Sequence, residues 1–229
     1  MNRLRRHFDA VWALDFEFSA PPGQRPEVVC LVARELFSGR LLRRFSDELD
    51  ERPPFPINER TLLVAYDSSA EWGCFLTLRW PLPRRVLDLF TEFRLATNGR
   101  PTIAGAGLVG ALAHHGLPTI GVEEKHQMRE LAVRGGPYAP EEREALLDYC
   151  QSDVDALGRL LPKMLPSIDL PRALLRGRYM IAAARMEHTG VPIDTATLAG
   201  FRQTWAAIRE GLIAEVDVDY GVFEGTTFK

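Results

Sequence analysis

Residues 9–18 read DAVWALDFEF, an apolar run long enough for a buried strand that nevertheless carries two acids, Asp15 and Glu17. Side chains alternate across a strand, so these two share one face while Leu14, Phe16 and Phe18 share the other. Burying two carboxylates side by side is costly without a compensating partner, and a cation is the natural one. A solvated face on an edge strand is the competing reading. The run comes first and is long and apolar, which favours a central position.

The rest of the chain is organised around this run. The loop APPGQRP leads to EVVCLVAREL and, after Ser38-Gly39, to LLRRFS, a hairpin pattern. TLLVAY (61–66) and RVLDL (85–89) are two further strand-like runs, with a short helix between them that Asp67 or Ser68 can cap. From Thr102 the period becomes helical: 108–117, 123–133, and a long helix opened by Pro140 with Glu141, Glu142 and Glu144 in its first turns. Residues 173–190 and the stretch capped by Asp194-Thr195 continue the helical pattern. Prolines 162, 166 and 171 mark a boundary, giving an α/β domain over 1–165 and a helical segment over 172–229. The ending GVFEGTTFK shows no terminal element, so the natural chain is expected to continue past Lys229.

Composition removes several classes. With 46% hydrophobic and 26% charged residues among 229, the chain reads as globular rather than disordered or fibrous. No apolar run reaches the ~18 residues of a membrane span, and MNRLRRHFDAVWALDF lacks the pattern of a secretory signal. Three scattered cysteines give neither a disulfide framework nor a zinc pattern, so a cytoplasmic setting is expected. A net charge of −3 supplies no global basic field. Only three of the 28 basic residues are lysine. Arginine suits bidentate phosphate contacts, although codon usage in a GC-rich genome gives the same bias.

Two more acidic elements follow. In YDSSAEWGCF, Glu71 lies in the first turn of the helix leaving the fourth strand, with Asp67 as competitor. In DYCQSDVDAL, Tyr149 and Asp153 are four apart on one helical face, while Asp148 and Asp155 lie on other faces. The series D-x-E, acid after strand four, Y-x-x-x-D resembles the DEDD superfamily of 3′–5′ exonucleases, in the subgroup with tyrosine in the last motif. The resemblance spans about residues 9–165. LDFEF matches the first motif and LLDYCQSDVDAL the third. YDSSAEWGCFL resembles the second, with Tyr66 and Asp67 where the family has His-Asn, and Asp88 of RVLDLF is a supporting acid.

The resemblance implies a ribonuclease H-like α/β fold. Its mixed five-stranded sheet has three antiparallel strands followed by two parallel ones, with helices on both faces and a C-terminal helical extension. It also implies two Mg²⁺ or Mn²⁺ ions bridged by Asp15 and completed by Glu17, Glu71 and Asp153, with Tyr149 orienting the attacking water. Glu71 is one methylene longer than the family's commoner aspartate. The implied substrate is a single-stranded or frayed DNA 3′ end, released as 5′-nucleoside monophosphates; no membrane is involved. RYMIAAARMEHTGVPIDTATL (178–198) is similar to the segment after the exonuclease domain in family A DNA polymerases. That similarity implies a proofreading module whose partner is the remainder of a polymerase chain. A ribonuclease D-like RNA exonuclease and a catalytically silent nucleic-acid-binding module are the alternatives. Phe16, Phe18 and Trp72 read as core rather than base-stacking residues. Arg79, Arg84 and Arg85 are placed near the right edge for a nucleic-acid strand, and His114-His115 point to different faces, so they make no metal pair.

Overall fold

The computed structural model describes residues 1–119 and 122–229, with backbone alone at 122–126. A short helix α1 (Asn2–Arg5) precedes strand β1 (Ala10–Ser19). β1 pairs antiparallel with β2 (Glu27–Glu35), and β2 antiparallel with β3 (Leu41–Phe45). On its other side β1 runs parallel to β4 (Thr61–Ala65), and β4 parallel to β5 (Val86–Asp88). The spatial order β3-β2-β1-β4-β5 puts β1 in the centre. This is the mixed five-stranded sheet implied by the resemblance. Central placement explains why β1 is apolar on both sides: Val11 and Ala13 join one core, Trp12, Leu14 and Phe16 the other. In the β2–β3 turn Gly39 takes φ +81°, and the Glu35 carboxylate accepts from the backbone N–H of Phe37 (3.1 Å) and Ser38 (2.6 Å).

Helices cover both faces. α6 (Pro140–Met164) packs across β1 and β2, with α4 (Leu108–His114) and α5 (Val122–Arg134) against it. Its buried residues Leu146, Cys150, Asp153, Val154, Leu157 and Leu161 recur at helical spacing. Asp148 and Asp155, on its outer faces, pair with Arg43 (2.8 Å) and Arg34 (2.7 Å) of the hairpin. The opposite face carries α2 (Ser68–Thr77) and α7 (Leu170–Thr189). α3 (Leu89–Thr97), which the sequence pattern did not suggest, starts where β5 stops. Asp88 ends the strand and caps the helix by accepting from the Thr91 N–H at 2.6 Å.

The compact unit extends through Thr189, past the proline-marked boundary expected at 165–172. Pro162 sits in the last turn of α6 and Pro171 in the first turn of α7, and a first turn tolerates proline because its N–H has no intrahelical partner. α7 belongs to the sheet. The Arg176 guanidinium makes a two-point ion pair with the buried carboxylate of Glu92 (2.6 and 2.7 Å). Gly177 lies so close to β5 that a Cβ there would stand 2.2 Å from the Val86 carbonyl oxygen. Overpacking of this kind typically costs 1–3 kcal/mol. Gly177→Ala is therefore expected to lower unfolding stability by about 3 kcal/mol in urea, with the mid-helix Gly200→Ala, which meets nothing, unaffected or slightly stabilised.

The second unit, Gly190–Lys229, holds α8 (Thr195–Tyr220), capped by Asp194 accepting from the N–H of Ala196 (3.1 Å) and Thr197 (3.0 Å). Residues after α8 form a small hairpin, β6 (Phe223–Glu224) with β7 (Thr227–Phe228), where no terminal element was expected. Phe223 and Phe228 pair across it, ring centroids 5.4 Å apart. Among the described residues no helix is long and apolar enough to cross a membrane.

Candidate active site

β1 outruns its parallel neighbour. Its last register partner on β4 is Ala13 with Val64, so Asp15 and Glu17 stand just beyond the C-terminal end of β4. Crevices at such strand ends are where ligands collect in α/β sheets. Glu17 is opposite Cys30, but Phe18 is already opposite Val28. This bulge interrupts the alternation right after the two acids, as bulges beside functional sites often do. Asp15 faces α6, where the Cys150 thiol lies 3.2 Å from its backbone oxygen and 3.4 Å from its Oδ2.

Between the two candidates for the third acid, the local backbone discriminates. Asp67 adopts a left-handed conformation (φ +62°) at the start of α2, stays exposed and caps nothing through its side chain. The start of α2 is held instead by Asp88, whose Oδ2 accepts from both the N–H and the Oγ of Ser68, each at 2.6 Å. One turn on, Glu71 points inward and is only 3% exposed. Burial first, then the charges of Asp15 and Glu17, pushes its carboxyl well above the ordinary range, against one hydrogen bond from the Phe16 backbone. Its Oε2 meets no donor among the described residues.

α6 supplies the opposite wall. Tyr149 and Asp153 are one turn apart and both buried. The Tyr149 hydroxyl is pushed far up by burial, then by the charges of Asp153, Glu17 and Asp15, so it stays protonated and acts as a donor. The five candidate residues Asp15, Glu17, Glu71, Tyr149 and Asp153 thus converge from three elements on one place, and the exposed Asp67 adds its charge beside Glu71.

The sequence reading overlooked two thiols here. Ligand-capable atoms of Asp15, Glu17 and Cys150 all lie within 4.8 Å of one another. Cys74, one turn after Glu71, is likewise buried. Burial first raises the pKa of both thiols, and neighbouring carboxylates add to it. They therefore line the site as thiols. The available sign was position, since Cys150 adjoins Tyr149 and Cys74 follows Glu71 by three. Clustered carboxylates, one of them buried with an oxygen that lacks a donor, are a donor set suited to a hard divalent cation such as Mg²⁺ or Mn²⁺.

The other residues singled out fall elsewhere. Phe16 packs on Phe75 and Trp80 (centroids 5.9 and 6.2 Å) and Trp72 is fully buried, so both are core. Arg84 and Arg85 precede β5, at the end of the sheet opposite the acids, and Arg79 follows the far end of α2. The expectation that these arginines border the acidic edge is corrected by the direction of the parallel strands. The rings of His114 and His115 both pack on Phe93.

No protein-family model and no curated protein sequence matches the chain. Solved structures do. Escherichia coli RNase D, described as an exoribonuclease involved in structured RNA processing, is 19% identical with a TM-score of 0.52 over 83% of this chain. The match covers 48% of that protein, so the chain spans about half its length. Trypanosoma brucei RNase D, crystallised with RNA U12, is 16% identical with a TM-score of 0.58 over 84% of this chain and 67% of its own. A structure described as the apo form of a nuclease is 14% identical with a TM-score of 0.55, over 84% and 92% respectively. The chain shares the ribonuclease H-like fold of these nucleases, with a helical C-terminal part.

Proposed function

We propose that this protein is a metal-dependent 3′–5′ exonuclease that releases 5′-nucleoside monophosphates. The observation that carries this reading is the buried Glu71 carboxylate turned toward Asp15 and Glu17. Like charges brought together out of water must be offset, by a proton in the metal-free protein or by a bound cation. Asp15, Glu17, Glu71 and Asp153 would hold the ions. A pair of divalent cations supplies an activated water and neutralises charge on the leaving oxygen of a phosphodiester.

The protein's own groups do the rest. The Tyr149 hydroxyl, kept protonated by its surroundings, orients the attacking water through a hydrogen bond and does not serve as the base. Asp88 fixes the start of α2 and so the direction of Glu71. Removing one positioned hydrogen-bonding group at a reacting centre typically costs 10²–10³ in rate when it meets developing charge. Tyr149 meets a water, so Tyr149→Phe is expected to lower kcat about 10- to 100-fold with KM little changed, as steady-state kinetics on a short oligomer would show.

The neighbours described as RNase D, one of them crystallised with RNA, favour an RNA 3′ end as the substrate. A DNA end, and with it a proofreading role, rests on the likeness of residues 178–198 to family A polymerases and is the second reading. Digestion of matched 5′-labelled RNA and DNA oligomers with Mg²⁺, Mn²⁺ or EDTA tests both. Stepwise metal-dependent shortening supports the exonuclease, and the faster substrate chooses between them. A folded protein that shortens neither would leave the silent binding module.

A further inference from the structure

We infer that α7 carries an arginine-lined track that grips the phosphodiester backbone of a single strand on the 5′ side of the nucleotide being removed. The inference rests on the exonuclease reading for the identity of the strand. Two adjoining hollows, of about 580 and 670 Å³, run along one side of α7. They share Glu59, Arg85 and Arg178, and their walls also include Arg3, Arg84 and Arg185. Five guanidiniums thus face one carboxylate in a chain whose net charge is negative.

That single acid does not neutralise the track. Glu59 is shared between Arg84 and Arg85, 2.9 Å from each. Arg178 and Arg185 are exposed and make no ion pair among the described residues. They are seven residues apart, hence on the same side of the helix and about 10 Å apart along it. Arg3 is fixed from below by donating to the carbonyls of Leu165 (3.1 Å) and Ile168 (2.8 Å), which leaves its charge uncompensated. The backbone that carries Arg178 and Arg185 is held in place, because the Arg176–Glu92 pair and the close approach of Gly177 to Val86 pin α7 to the sheet. No ordering of the helix is then needed for it to grip a polyanion.

The track leads to the candidate active site. The C-terminal end of α7 borders a third hollow of about 240 Å³, lined by Phe18 and Ala70, the chain neighbours of Glu17 and Glu71. Arg25 also lines it, donating to the His188 carbonyl at 3.2 Å. From Leu170 to His188 the helix covers about 27 Å, the length of roughly eight stacked nucleotides at about 3.4 Å each. Arginine rows of this kind read phosphate positions rather than sequence.

The test uses the full chain and two readouts. Binding of a fluorescent 12-nucleotide RNA is followed by anisotropy in EDTA across a salt series. Hydrolysis of the p-nitrophenyl ester of thymidine 5′-monophosphate with Mn²⁺ reports the catalytic centre alone, since this substrate has no upstream strand. Arg178→Gln/Arg185→Gln is expected to weaken 12-mer binding about tenfold and to reduce the slope of log affinity against log salt by about 1.4, or 0.7 per lost phosphate contact. Ester hydrolysis should stay at the wild-type level. The control Arg52→Gln/Arg100→Gln removes the same charge elsewhere and should leave the slope unchanged. Wild-type affinity and slope in the α7 variant, or equal losses in the control, would overturn the track. A wild-type protein inert toward the ester would count against the catalytic reading, and the anisotropy series would still decide the track.

Discussion

Asp15→Ala is expected to abolish metal-dependent cleavage, lowering kcat/KM by at least about 10³-fold on any oligomer the wild type shortens. Asp15 lies on the central strand among Glu17, Cys150 and Glu71, where it would be one of the ligands that hold the metal. Metal stabilisation of the transition state is worth several kcal/mol, and each 1.36 kcal/mol is a factor of ten. About 4 kcal/mol therefore gives the 10³. The fold should survive, because removing one carboxylate from a cluster of like charges relieves repulsion. Single-turnover digestion, with circular dichroism and a melting curve on the same preparation, checks both halves. Residual activity within tenfold of wild type would remove Asp15 from the reacting centre.

Glu71→Gln is expected to stabilise the metal-free protein while weakening its response to metal. The folded state holds the Glu71 proton more tightly than the unfolded chain does, because burial and then Asp15 and Glu17 raise its pKa. Between the ordinary glutamate value and the raised one, the folded state therefore carries more protons. Stability in EDTA must fall as pH rises through that window. The glutamine variant loses this slope and should gain on the order of 1–2 kcal/mol at pH 8. For a chain of this size that corresponds to roughly 2–8 °C in Tm, at about 2–4 °C per kcal/mol. In the wild type, Mn²⁺ at 100 times its Kd adds about 2.7 kcal/mol and reverses the penalty. The variant should show less than half of that gain. Calorimetric scans from pH 5 to 9, with EDTA and with Mn²⁺, measure all four quantities.

The central sheet was legible because each strand announces itself locally. Alternation and apolar runs mark β1, β2, β4 and β5, and Ser38-Gly39 marks the turn into β3. The two acid pairs were legible for the same reason, since D-x-E shares a strand face and Tyr149–Asp153 a helix face whatever the tertiary packing. The choice between Glu71 and Asp67 was not legible. It depends on the left-handed conformation at Asp67 and on Asp88 reaching across from β5 to hold Ser68. α3 was hidden because its cap, Asp88, looked like the end of a strand. The prolines do not mark the end of the compact unit at Thr189, because Pro171 opens α7, where a missing N–H costs little, and Pro162 is accommodated within the last turn of α6. α7 joins the sheet through Gly177 and the Glu92–Arg176 pair, contacts between residues more than eighty positions apart. The arginines of 79–85 carried a usable signal of composition. Only strand direction shows that Arg84 and Arg85 sit far from the acids, and the hollow they line lies against α7.

Metal binding by the clustered acids is the claim on which the rest depends, and an Mn²⁺ titration followed by electron paramagnetic resonance addresses it without reference to turnover. The wild type should remove Mn²⁺ from the free signal saturably, with up to two ions per chain, and Asp15→Asn/Glu71→Gln should leave the free signal untouched while remaining folded. A folded wild-type protein that never depletes the free Mn²⁺ signal, or a double variant that depletes it equally well, would contradict a metal site built from Asp15, Glu17, Glu71 and Asp153.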